Sequence, residues 1–203
     1  MEQSVVTAFA LFVATMTGTP GPGNLTFMAL GSATGYTKTF PVILACMAGN
    51  IIVSMCVAFG LGQVMAEGGL IVSIFKGLSI AYMSYLAYKI ASMSVQPKGQ
   101  ATQPSYLSGF MIHPLSPKTW AMNLVAFSTF FAGNGLSVME NAAYLTLGFI
   151  LGGFISHSLW ALAGVSILKV LGDGIALRAT TVFLAVTMLA ATVWSLLLDT
   201  GAA

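Results

Sequence analysis

Long apolar stretches decide what this chain can fold into. Polar or Gly/Pro-rich punctuation divides it into six of them, at about 4–32, 39–63, 70–90, 109–132, 142–168 and 179–198. A helix that crosses a bilayer needs roughly 20 apolar residues. None of the stretches has the in-out alternation of a membrane barrel. The chain therefore reads as an all-α integral membrane protein with six transmembrane helices. The spans use most of residues 1–203, so the chain reads as one transmembrane domain with no soluble domain beside it. Charge agrees with this. The chain has 7 Lys or Arg and 5 Asp or Glu, 6% in all, where a soluble domain carries about 25%. That excludes an ordinary soluble enzyme and a disordered chain. It also excludes a nucleic-acid partner, because the few basic residues are scattered and make no phosphate-binding stripe. The first stretch has no Lys or Arg before it and no small-residue cleavage site after it, so it reads as a retained helix rather than a signal peptide.

Basic residues in short loops set orientation. Lys38, Lys89, Lys98, Lys169 and Arg178 fall on one side of the six spans; Lys76 alone falls on the other, and Lys118 lies within a span. The loops near 34–38, 91–108 and 169–178 are thus expected in the cytoplasm, with both termini outside. Tyr36 and Tyr88 sit near span ends on the cytoplasmic side, as interface anchors do. The polar connection Ser92–Ser108 separates halves of about 1–95 and 104–199 with three spans each. Three is odd, so the halves run in opposite senses across the membrane, as in the inverted repeats of many transporters.

In both halves the first helix is broken at proline. The first break is Gly18-Thr19-Pro20-Gly21-Pro22-Gly23-Asn24 and the second is His113-Pro114-Leu115-Ser116-Pro117-Lys118, with Pro22 and Pro117 95 residues apart. Closely spaced prolines cannot sit inside a continuous helix. Non-helical backbone at membrane depth persists only where it is buried in protein or lines a wet cavity. Breaks at matching places in two halves point to a transport site. Ser116 is expected to cap a half-helix that restarts at Pro117. In the first half either Asn24 caps the restart, or Gly21 does with Pro22 in the first turn. Free N–H groups at such starts attract anions. Lys118 adds a cation to a positive helix end, which makes sense if an anion binds there; the alternative is a side chain that snorkels to the surface.

These motifs resemble the LysE/RhtB family of bacterial amino-acid exporters. Thr19-Pro20-Gly21-Pro22-x-Asn24 is similar to that family's signature, Ser116-Pro117-Lys118 to its Asn-Pro-Lys motif, and Gly77 to Leu86 with Tyr82 to its third-span pattern. Two positions depart: Gly23, where the family often has Asn or another polar residue, and Ser116, where Asn is usual. The resemblance covers nearly the whole chain. It implies efflux of amino acids or relatives across the inner membrane, with Thr19, Pro20, Gly21, Pro22, Asn24, Pro117 and Lys118 in the family's substrate-site positions.

Other features fit this reading. All five acids, Glu2, Glu67, Glu140, Asp173 and Asp199, lie near span ends. A site for a cationic cargo is expected to hold a paired acid, so a neutral amino acid is the expected substrate. His157 in the fifth span either makes an interhelical bond or relays protons; His113 adjoins the second break and shares those readings. The small residues Gly148, Gly152 and Ser156, with Gly31 and Gly35, pack helices within the chain or in a homodimer. Tyr82, Tyr85 and Tyr88 either pack or line a cavity. Cys46 and Cys56 read as buried apolar residues without metal-ligand spacing. The expected partners are therefore an amino acid and lipid, with no cofactor, metal or enzymatic activity. The alternatives are an exporter of another small metabolite or ion, or an integral-membrane redox protein or enzyme.

Overall fold

The computed structural model describes residues 2–61, 69–93, 105–172 and 174–198. Glu67, Lys98, Asp173, Asp199 and most of the Ser92–Ser108 connection lie outside them. The regular elements of the described residues are all helices: α1 (Gln3–Gly18), α2 (Pro22–Thr34), α3 (Tyr36–Ala58), α4 (Leu70–Met93), α5 (Tyr106–Met111), α6 (Pro117–Ala126), a π-helical turn (Phe127–Phe131), α7 (Val138–Leu171) and α8 (Ile175–Leu198). Helices keep every backbone hydrogen bond within one segment, which a hydrocarbon surrounding demands.

Four helices are long and apolar enough to cross a membrane: Tyr36–Ala58, Leu70–Ser92, Val138–Leu171 and Ile175–Trp194. Joined as one bent span at 55°, α1 and α2 make a fifth. The expected fourth span is divided into α5, α6 and the π turn, each too short alone, so a sixth crossing requires joining those pieces. At about 1.5 Å per residue, α7 is roughly 50 Å long and extends past a hydrocarbon core. It begins with a capping box: the Glu140 carboxylate accepts from Ser137 N at 2.9 Å, and Ser137 Oγ accepts from Glu140 N at 3.3 Å.

Small residues set the packing. A Cβ at Gly31 would strike the Ala161 carbonyl, and one at Gly164 would strike the Met28 carbonyl. This lets α2 and α7 press backbone to backbone. Gly148 faces Phe9, Gly152 faces Val13, and Ser156 Oγ donates to Thr17 O at 2.6 Å. The small-residue stripe of α7 is therefore filled by α1 of the same chain. Gly35 has open space around it and turns the chain at φ 79°. α2 ends up in the middle, against α3, α4, α7 and α8. One apolar cluster includes Phe27, Ile43, Met83 and Met188. A second joins Phe9, Phe131 and Phe149, with Phe9 edge-on to Phe131 at 5.0 Å. Leu11, Ile74, Leu78, Leu151, Leu159 and Phe183 face outward. That surface would be a liability in water and suits lipid.

The tyrosines divide by role. Tyr82 donates to the Ser108 carbonyl and ties α4 to α5. Tyr85 and Tyr88 are exposed, with Lys89 Nζ 5.7 Å from the Tyr85 ring centre. Tyr36 is half-buried and donates to Ser158 Oγ at 3.1 Å, which ties the start of α3 to α7.

Candidate functional site

The two breaks meet. Thr19 ends α1 in an extended conformation, Gly21 follows with φ −168° and ψ 175°, and Pro22 is the first helical residue of α2. Gly21, not Asn24, thus holds the N-cap position, and no side chain caps α2 there. In the second half Ser116 caps α6 as expected, its Oγ accepting from Thr119 N at 3.4 Å, with Pro117 first in the helix.

The carbonyls freed at the end of α1 are each met by a side chain. Met16 O accepts from Thr19 Oγ1 at 3.0 Å. Thr17 O accepts from Asn24 Nδ2 at 2.7 Å and from Ser156 Oγ. Gly18 O accepts from Trp160 Nε1 at 3.2 Å. Thr19 O accepts from Asn24 Nδ2 at 2.8 Å and from Lys118 Nζ at 3.1 Å. A freed carbonyl of the second break, that of Pro114, accepts from Trp120 Nε1 at 2.9 Å. Backbone polar groups at this depth need such partners.

Lys118 reaches across from the second break to the first. Its Nζ donates to Thr19 Oγ1 at 2.7 Å as well as to Thr19 O, so it sits at the negative end of α1 and latches the breaks together. Gly21 makes room for it: a Cβ there would lie 3.0 Å from Lys118 Cδ. The side chain is half-buried and opens onto a groove of about 500 Å³ between Pro20, Pro22, Pro117 and α8.

Behind the latch lies a chamber lined by Gly21, Asn24, Asn50, His113, Lys118 and His157, among others. Its water-accessible volume of 30 Å³ holds about two waters, too little for an amino acid in this conformation. A directional chain of hydrogen bonds runs along it. Asn24 gives its amide protons to two carbonyls, so its Oδ1 accepts from His157 Nδ1 at 2.7 Å. Neutral His157 then presents a bare Nε2, which accepts from His113 Nε2 at 3.3 Å. His113 Nδ1 in turn accepts from Thr119 Oγ1 at 2.9 Å. The chain joins α2, α7, the second break and α6. Gly23 accommodates it, since a Cβ at 23 would lie 3.1 Å from His157 Cε1. The glycine that departs from the resembled signature is thus the residue that admits the His157 ring.

Every sequence-derived candidate belongs to this junction. Thr19, Pro20, Gly21, Pro22 and Asn24 form one side; His113, Ser116, Pro117 and Lys118 form the other; His157 bridges them. Sequence reading missed Asn50, on α3, whose buried Oδ1 lines the chamber without a hydrogen-bond partner. It also missed Cys46, whose Sγ lies within 4.8 Å of ring nitrogens of both His113 and His157. Neither carries a local motif, and only their register on α3 turns them toward the breaks.

The LysE type translocator family matches residues 14–198. Proteins described as cysteine/O-acetylserine efflux proteins from Escherichia coli O157:H7 and O6:H1 are 27% identical over 168 residues, 81% of this chain and 84% of theirs. The protein of that description from Escherichia coli K12 is 26% identical over the same length. No solved structure matches.

Proposed function

The chain belongs to the LysE type translocator family, and we propose that it exports a small, neutral amino acid or derivative across the bacterial inner membrane through the chamber between its two proline breaks. The observation that carries this reading is the pairing, in one chamber, of a cation and an unmatched acceptor. Lys118 and the uncapped N-terminus of α2 suit a carboxylate. The bare Asn50 Oδ1 suits an ammonium. Among the described residues the named lining holds no Asp or Glu, which disfavours a cationic cargo. The relatives are described as exporting cysteine and O-acetylserine, so these two substrates head the panel to be tried.

The substrate carboxylate competes with Thr19 for Lys118. Release of that latch joins the groove to the chamber. The halves, about 1–95 and 104–199, are inverted repeats that meet at the breaks, with Tyr106 to Phe131 as the fourth of six crossings and both termini outside. The chain from Thr119 through His113 to His157, which Asn24 orients, offers a proton path for coupling.

The test is efflux from cells loaded with a panel of amino acids, other metabolites and ions. Lys118→Ala is expected to abolish amino-acid export while the protein stays folded in the membrane, and Asn50→Leu to raise KM. Export by Lys118→Ala at the native rate overturns the site. Export of ions or other metabolites in preference to amino acids overturns the cargo.

A further inference from the structure

We propose that Cys46, His113 and His157 form a buried binding site for a thiophilic d10 cation such as Zn²⁺ or Cd²⁺. The three residues are buried, and one ligand atom from each lies within 4.8 Å of the others. The histidine Nε2 atoms are 3.3 Å apart. Two imidazole nitrogens bound tetrahedrally at about 2.0–2.1 Å from Zn²⁺ stand roughly 3.3–3.4 Å apart. The hydrogen-bonded spacing thus matches that of two ligands to one ion, which would take the place of the proton between them.

Their far nitrogens are held as those of metal-bound histidines are. His157 Nδ1 donates to Asn24 Oδ1 at 2.7 Å, which leaves Nε2 bare for a metal. His113 Nδ1 is 2.9 Å from Thr119 Oγ1, which accepts as readily as it donates. On binding, His113 moves its proton from Nε2 to Nδ1 and the Thr119 hydroxyl turns. Cys46 is a free thiol. It releases its proton and binds as the thiolate, which offsets part of the ion's charge in an apolar surrounding. One thiolate and two imidazoles select soft or borderline ions over Mg²⁺ or Ca²⁺. His113 and His157 line the chamber, so a fourth position is left for water.

The site has a mechanical consequence. Cys46 belongs to α3, while His113 and His157 belong to the second break and α7. An ion staples these elements together and takes the lone pairs that the histidine chain needs. Bound metal therefore stops transport. The binding itself does not rest on the export reading; the inhibition does.

The experiment uses the purified full chain in detergent, with Co²⁺ as a spectroscopic probe and Zn²⁺ as competitor. One Co²⁺ per chain is expected, with thiolate-to-cobalt charge-transfer absorption that Zn²⁺ removes. The band should persist in Cys56→Ser and vanish in Cys46→Ser. Thr119→Val, which removes an outer partner, should weaken binding by roughly 10–100-fold. Absence of the band in the native chain, or its survival in Cys46→Ser, overturns the site. If Cys46→Ser does not fold, Cys56→Ser supplies a second test: Zn²⁺ should raise the temperature at which Cys46 becomes reactive to a thiol probe, and an unchanged temperature overturns the proposal. In membrane vesicles Zn²⁺ should block export by the native protein. Binding without inhibition overturns the staple and leaves the site standing; binding by a chain that exports no amino acid overturns only the export reading.

Discussion

Asn24→Ala is the most informative substitution. The side chain makes three strong bonds: to Thr17 O at 2.7 Å, to Thr19 O at 2.8 Å and from His157 Nδ1 at 2.7 Å. After truncation both carbonyls keep a second donor, Ser156 for Thr17 and Lys118 for Thr19. Their combined loss is about 1 kcal/mol. The His157 Nδ1–H keeps nothing. An orphaned buried donor costs about 1–3 kcal/mol. The sum is about 2–4 kcal/mol, and in a chain of this length each kcal/mol lowers Tm by about 2–4 °C. The variant should melt about 4–16 °C below the native protein. Cys46 provides the assay, since it is fully buried and becomes reactive to a fluorogenic thiol probe only as the fold opens. Thr7→Ala is the control: Thr7 is exposed and bonds only within its own helix, to Gln3 O, so its shift should stay within about 0.5 kcal/mol. A melting temperature for Asn24→Ala within 2 °C of native, judged by about the same scale, would falsify the account of how the first break is held.

Packing and ring placement give two further expectations. Gly164→Ala pushes a methyl group into the Met28 carbonyl, a backbone atom that cannot swing aside, and should destabilise by about 2–3 kcal/mol. Gly77→Ala, in α4 with nothing within 4 Å of the added carbon, should be neutral or stabilising by up to about 1 kcal/mol; equal melting shifts for the two variants would refute the packing assignment. Gly23→Asn, which restores the side chain common at that place in the resembled signature, presses on His157 Cε1 and should lower export about tenfold or more. Efflux at the native rate would show that the ring's position is immaterial.

The breaks were readable from sequence because proline acts locally: it lacks an N–H and fixes φ, whatever surrounds it. Ser116 as a cap followed from the same local rule. Asn24 was singled out as a possible cap, but of the two starts open for α2 the one with Gly21 as cap was realised. With Pro22 first in the helix, Asn24 is third, and helical side chains lean toward the N-terminus. It therefore points back at the carbonyls of α1 rather than forward at the N–H groups of α2. Lys118, second in α6, leans back across the break for the same reason. At 109–132 hydropathy runs on through a stretch that the backbone divides into α5, α6 and a π turn, so the break at 113–118 was legible there but the lengths of its pieces were not. Asn50 and Cys46 were not readable. Each lies in the apolar run of α3, and what distinguishes it is the face that meets the second break. That face is set by contacts such as Gly49 against the Phe110 carbonyl and Gly109 against Val42, which bring residues far apart in sequence together.

The strengths of the bonds at the breaks also indicate which part moves in the proposed export cycle. Asn24, Thr17, Ser156 and His157 are buried together. Separating them strands several donors and acceptors at once, at about 1–3 kcal/mol each, so α1, α2 and α7 travel as a unit. The Lys118–Thr19 contact is different. Thr19 is exposed, its carbonyl keeps Asn24, and Lys118 already borders the open groove. Breaking it orphans nothing provided an anion takes the ammonium, and a substrate carboxylate is such an anion. The contact whose rupture costs least is thus the one the substrate can replace. A Lys118→Met chain, which keeps much of the side-chain bulk but cannot form the latch, should open the groove to the chamber without substrate. Faster modification of a cysteine introduced at Gly153, which lines the chamber, would register that opening. An unchanged rate would mean that the closed state is held elsewhere.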